Sequence, residues 1–164
     1  MTFDDTAVPL MAGTLTITGA RSTGHRPIED YWRLFVDYLG PFARPTVDIY
    51  LGGASGIDSI ALLWLATETD TALHVVVPGT VQSQPSDARH AIQETRALGR
   101  LVEVVELKHP THPSPASYHQ RNRWMVDHSE FVIGFPRGSD PSSGTWYTLE
   151  YAAQQSRTRL IIPI

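Results

Sequence analysis

The sequence predicts an α/β domain in which a doubly wound, mainly parallel sheet carries helices on both faces, the Rossmann-like arrangement. Three observations carry this prediction. Short strand-like runs alternate with amphipathic stretches along the chain. No hairpin turn joins consecutive runs, and parallel neighbours need the crossover connections that the intervening helices supply. Several runs end in Gly-rich or polar loops, and ligands of such sheets lie beyond the carboxyl ends of the strands.

The elements follow in order. Leu15-Thr16-Ile17-Thr18 is β-branched and ends at Gly19, which predicts the first strand. Pro27 opens a helical pattern through Tyr31, Leu34, Phe35, Tyr38 and Leu39, stopped by Gly40-Pro41. Val47 to Leu51 is the second strand and ends at Gly52-Gly53. Ile57 to Ala66 is a helix with Ile60, Ala61 and Trp64 at helical spacing. Leu73 to Val77 is the third strand, closed by Pro78-Gly79. Ser86 is the expected N-cap of a helix through Leu98, with Gly99 past its end. Leu101 to Leu107 is a fourth strand. Lys108 to Ser117 holds three prolines and is expected to be a loop. A helix at Tyr118 to Asp127, a strand at Phe131 to Phe135 and a polar loop at Pro136 to Ser143 follow. Gly144 to Gln155 is the last helix and Leu160 to Ile162 the last strand.

The chain has 164 residues and no internal repeat or linker, which fits one domain at 14–164 behind a flexible segment at 1–13. It contains no cysteine, which excludes disulfides, thiolate metal sites and cysteine nucleophiles. The start, MTFDDTAVPLMAG, has no basic region and no long apolar core. No apolar run approaches the roughly 18 residues of a membrane span. A cytoplasmic protein without membrane contact is expected. The net charge of −4 argues mildly against non-specific nucleic-acid binding, while leaving room for a local basic pocket.

Four loops carry the candidate chemistry. Gly19-Ala20-Arg21-Ser22-Thr23-Gly24 has the glycine spacing of a P-loop, but His25-Arg26 stands where Lys and Ser/Thr belong. It still offers backbone N–H groups to an anion, with the charge of Arg21 beside them. Gly52-Gly53-Ala54-Ser55-Gly56-Ile57-Asp58 lets the backbone approach a ligand closely at the start of a helix. Ser55 is not a nucleophile elbow, because Ile57 occupies the position of its second glycine. Asp58 is read either as a ribose ligand or as a helix-start carboxylate. In Tyr118-His119-Gln120-Arg121-Asn122-Arg123-Trp124-Met125, Arg121 shares a helix face with Met125; Arg123 points elsewhere, toward solvent. Arginine suits phosphate because its fork bonds two oxygens. Pro136-Arg137-Gly138 and Ser142-Ser143-Gly144-Thr145 lead into a helix and form a second anion site by the same physics. The histidines are scattered and lack the acidic partners of a metal site, so no metal is expected. No cofactor is expected either.

Taken together, the loops resemble those of the SLOG superfamily, which includes DNA-processing protein A (Smf) and the Lonely Guy phosphoribohydrolases. The small stand-alone YspA-like members are the most similar. The order TGAR, GGASGID, YHQRNRWM, SEFVIGF, SGTWYT runs from Leu15 to the C-terminus. The resemblance implies ligand contacts for Gly19 and Arg21. It implies the same for Gly52, Gly53, Gly56 and Asp58, and for Arg121 and Asn122; Ser22 and Ser55 are candidates by their place in these loops. Ser143, Gly144 and Thr145 match the turn expected to hold a phosphate. It also implies a Rossmann-like fold and frequent homodimers. One departure matters. Lonely Guy enzymes carry a catalytic Glu where this chain has Thr148; Glu150 is two residues on, turned roughly 200° around the helix.

The expected function is therefore binding of a nucleotide or nucleotide-derived ligand, as a sensor or ligand-binding protein. The first alternative is an N-glycosidase acting on a nucleoside monophosphate, with Asp58 or Glu150 as the candidate catalytic acid. The second is single-stranded DNA binding as in DNA-processing protein A, with Trp124, Trp146, Tyr118 and Tyr147 as stacking platforms. Core packing is the preferred role for those aromatics.

Overall fold

A computed structural model describes residues 13–107 and 114–164. Six strands form one parallel sheet: β1 (Thr14–Gly19), β2 (Asp48–Leu51), β3 (Ala72–Pro78), β4 (Leu101–Leu107), β5 (Phe131–Phe135) and β6 (Thr158–Ile161). Five helices connect them: α1 (Ile28–Tyr38), α2 (Ile57–Glu68), α3 (Ser86–Ala97), α4 (Pro115–Asp127) and α5 (Gly144–Gln154). The spatial order is β4-β3-β2-β1-β5-β6, and every neighbouring pair is parallel.

That order places the site. The chain winds outward from β1 to β4, returns across the sheet through α4, and winds the other way from β5 to β6. The direction reverses between β1 and β5, whose register runs from Leu15–Phe131 to Gly19–Phe135. Loops leaving the two strands part there and open a crevice above their carboxyl ends. The sense of winding also sorts the helices, since crossovers are right-handed: α1, α2 and α3 pack together, and α4 packs with α5.

Strand alternation sends Ile17, Ile49, Leu51 and Val75 into one core against α1 and α2, where Phe35 and Leu65 are fully buried. Each such side chain contributes about 1.5–3 kcal/mol by leaving water. The opposite face is smaller and more polar: Val126, Val132, Leu149 and Ala152 form its apolar cluster. Thr16 shares a 2.6 Å hydrogen bond with Ser129 there. Helix α2 is apolar on nearly every side because it lies between neighbours, which makes its one carboxylate in the first turn, Asp58, conspicuous.

The predicted strands and helices recur with small shifts of boundary, and two expectations need correction. Helix α4 begins at Pro115, three residues before the predicted start. Ser114 and Ser117 form a reciprocal capping box, and Pro115 sits in the first turn, where its missing N–H costs nothing. The prolines that suggested a loop through Ser117 thus include one that starts a helix; 108–113 lie outside the described residues. At α3, Pro85 takes the capping position and Ser86 is the first helical residue, without a side-chain cap bond. A single 3-10 turn at Val81–Ser83 has no counterpart in the predicted elements. The expected flexible segment at 1–13 lies, except for Gly13, outside the described residues. No helix among the described residues is long and apolar enough to cross a membrane.

Candidate anion-binding cleft

A cleft of about 460 Å³ opens at the reversal point between β1 and β5. Its lining comes from the loop after β1, the start of α2, one face of α4, and the loop that leads from β5 into α5. Of the residues singled out from sequence, Gly19, Arg21, Ser22, Asp58, Arg121, Asn122, Ser143, Gly144 and Thr145 all meet here.

Arg121 forms the base. It is 3% exposed on α4, and its Nε donates to Asn122 Oδ1 at 2.7 Å. Its Nη1 donates to the carbonyl of Gly52 and, at 3.5 Å, to that of Val76. Gly52 is glycine because this arrangement needs the space: a Cβ there would stand 2.6 Å from Arg121 Cζ and 2.7 Å from Asp58 Oδ2. Burial pushes the Arg121 guanidinium down to about 10, with Asp58 opposing that shift, so it stays charged at neutral pH. Arg21 covers the outer side. Its Cζ lies 4.2 Å from the centre of the Tyr118 ring, a cation–π distance. Arg137 donates to Ser22 Oγ at 3.1 Å and so ties the two parted loops together. Among the described residues none of Arg21, Arg121 and Arg137 lies within ion-pair distance of a carboxylate.

The start of α5 supplies neutral donors. Ser143 is the N-cap, and its Oγ accepts from Trp146 N–H at 3.3 Å. The N–H groups of Gly144 and Thr145 precede any intrahelical bond, so they remain available together with the positive end of the helix dipole. Asn122 Nδ2 stands 3.9 Å from the point a Cβ on Gly144 would occupy. Its amide oxygen is held by Arg121, which turns the donor end toward this turn.

The Gly-rich loop after β2 is arranged differently from the sequence-based expectation of open N–H groups. Gly53 and Gly56 adopt positive φ, which the turn requires. Its amides, however, meet carboxylates from the chain itself: Ala54 N–H reaches Asp58 Oδ2 and Gly56 N–H reaches Asp87 Oδ2, each at 3.4 Å. Ser55 Oγ donates to Asp87 Oδ1 at 2.7 Å. Gly52, Gly53, Ser55 and Gly56 therefore shape the floor behind the cleft, and only Ala54 of this loop lines it.

Of the two candidate acids, Asp58 lines the cleft, whereas Glu150 lies exposed on α5 and does not. The helical turn from Thr148 to Glu150 carries that carboxylate away from the site. Arg123 also departs from expectation: it is half-buried rather than directed at solvent, and its Nη1 donates to Tyr147 Oη at 2.5 Å. Tyr118, Tyr147, Trp124 and Trp146 are all half-buried, between the predicted core and an open platform. Sequence reasoning gave no ligand role to His119, which lines the cleft, and placed Arg137 in the second anion loop without singling it out as a contact. His119 stacks on Tyr147 at 3.8 Å, and its pKa is lowered by burial and then by Arg123. Arg137 follows directly on β5 and its proline; the clue was its place at a strand end.

The fold and cleft define a class: a Rossmann-like protein with an arginine-lined cleft at the reversal of its sheet. The sequence matches the family model of DNA recombination-mediator protein A over residues 8–164, and the chain belongs to that family. Among solved structures, it is similar to DNA processing protein A from Helicobacter pylori, with a TM-score of 0.69 and 21% identity. The match covers 92% of this chain and 65% of that one, and shows the shared fold. That structure was described for a single-stranded DNA binding mode. A search of curated proteins finds no match.

Proposed function

We propose that the protein binds single-stranded DNA, with backbone phosphate seated in the cleft between Arg21, Arg121 and the first turn of α5. The observation that carries this reading is the set of three cleft arginines that, among the described residues, have no carboxylate within ion-pair distance, in a chain whose net charge is −4. Positive charge left unpaired in one crevice of an acidic protein is a local anion site. Family membership and the fold shared with a DNA-binding relative favour a polynucleotide as that anion. Tyr118, held under Arg21, adds a ring at the edge where a base follows its phosphate.

A second reading, a free nucleotide as ligand, draws support from the size of the cleft, which lies in the range of small-molecule pockets of about 300–1,000 Å³. The same lining serves both. A hydrolytic role has less support, because Asp58 is the lone carboxylate of the cleft lining among the described residues, and Glu150 lies outside it.

Fluorescence anisotropy with labelled oligothymidylate, titrated with salt and then with mononucleotides, separates the two. Affinity should fall as salt rises. Arg21→Ala should reduce the slope of log affinity against log salt by about 0.7, the value of one single-strand phosphate contact. Binding of a mononucleotide without binding of the oligomer would select the second reading. Silence of both at low salt would remove the cleft as a nucleotide site.

A further inference from the structure

Asp58 places a carboxyl group where an anion is to be bound. It is only 6% exposed, yet it lines the cleft. Its Oδ2 receives the long 3.4 Å bond from Ala54 N–H, and among the described residues no arginine nitrogen comes within ion-pair distance. The charges turned toward it are Arg121 from α4 and Arg21 from the loop after β1, whose guanidinium carbons lie 5.8 and 4.2 Å from the centre of the Tyr118 ring. Arg137 and His119 complete the charged and titratable lining. Asp87 of α3 is occupied by Ser55 and Gly56 behind the loop.

We propose that Asp58 takes up a proton from solvent as phosphate enters the cleft, so that the protein holds its anion in neutral and mildly acidic solution and releases it as the solution turns alkaline. The inference rests on the phosphate-binding reading above. A carboxylate and a phosphate compete here for the same two guanidinium groups, in a place where water is scarce and like charges repel strongly. Protonation of Asp58 removes that repulsion and creates an O–H donor for a phosphate oxygen. The balance is near the tipping point before any ligand arrives. Burial pushes the carboxyl up to about 6, against the opposing effect of Arg121, the Ala54 amide, Arg21 and the Gly52 amide. A phosphodiester placed beside it raises the value further, and the diester does not itself titrate near neutral pH. The proton is therefore taken up by the protein.

Calorimetry of oligothymidylate binding at pH 7, in two buffers of different ionisation enthalpy, counts that proton. The wild type should take up about one proton per binding event, and its affinity should fall by up to about tenfold per pH unit between pH 6.5 and 8. Asp58→Asn keeps an oxygen for the Ala54 amide but cannot titrate. It should lose this uptake, bind up to about a hundredfold more tightly than the wild type at pH 8, and match it at pH 5. Any uptake at His119 survives the substitution and is subtracted. Wild-type binding without proton uptake overturns the proposal, whether or not the variant folds. So does uptake unchanged in Asp58→Asn. Both outcomes leave the cleft reading intact, whereas an oligomer that fails to bind at every pH overturns both.

Discussion

Gly19→Ala should loosen the protein, and the extent can be worked out from the packing. Gly19 ends β1 directly beneath the first turn of α2. A Cβ there would stand 2.7 Å from Ile57 Cγ1, and closer still to Ile57 Cβ and Cγ2. Carbon atoms prefer about 3.5–4.0 Å, so the overlap is about 1 Å. Ile57 cannot rotate out of the way, because its Cβ is fixed to the helix backbone. It is also fully buried, and its N–H is held by the Ala20 carbonyl at 3.0 Å. The strand and helix must separate instead. Overpacking of this kind costs about 1–3 kcal/mol, and the backbone-fixed neighbour argues for the upper half of that range. In a domain of this size the melting temperature should fall by about 4–12 °C. Gly24→Ala is the control, because a Cβ at Gly24 meets nothing within 4 Å. Thermal denaturation followed by circular dichroism reads both variants. A Gly19→Ala melting temperature equal to that of Gly24→Ala would refute the argument and return Gly19 to a role in ligand contact alone.

Gly52→Ala tests the base of the cleft. The added methyl displaces the Arg121 guanidinium from the carbonyls of Gly52 and Val76. Loss of one charge-assisted contact of about 1.5–3 kcal/mol should weaken oligonucleotide binding by about ten- to a hundredfold in anisotropy titrations. Wild-type affinity in that variant would show that Arg121 does not hold the ligand. Asp58 should also shape stability against pH. Its folded-state value of about 6 lies above the ordinary 3.8, so the folded protein binds the extra proton. The contribution is complete below pH 4 and is lost as pH rises through 6, a decline of about 3 kcal/mol. Urea denaturation of wild type and Asp58→Asn across pH 4 to 7 should converge at the acidic end and diverge toward neutrality. Parallel curves would contradict the assignment.

Most strands were legible because they are short β-branched runs closed by Gly or Pro, as at Leu15–Gly19 and Val47–Gly53. Most of the cleft lining was legible too, since its residues sit at strand ends and helix starts. What the sequence could not display was adjacency. Nothing local states that β5 lies beside β1, so the meeting of Arg137 with Ser22 depends on the long return through α4. The same holds for the loop after β2. Its glycines announce a tight turn, but the partner of Ser55 is Asp87, which arrives from the next helix. Pro115 misled for a different reason: three prolines in one stretch suggest a loop, and only the Ser114–Ser117 cap shows that the last of them opens a helix.

The anchoring of Arg121 divides the arginines of the cleft by their freedom of motion. Arg21 and Arg137 are exposed, and each is held by a single contact: Arg21 over the Tyr118 ring and Arg137 to Ser22 Oγ. Arg121 is pinned at two nitrogens, Nε and Nη1, to two carbonyls and an amide oxygen before any ligand comes. Its rotamer freedom was surrendered when the chain folded, so binding restricts it no further. If the cleft holds an anion as proposed, the outer pair sets how often it is caught and how salt slows that capture, and the inner residue sets how long it stays.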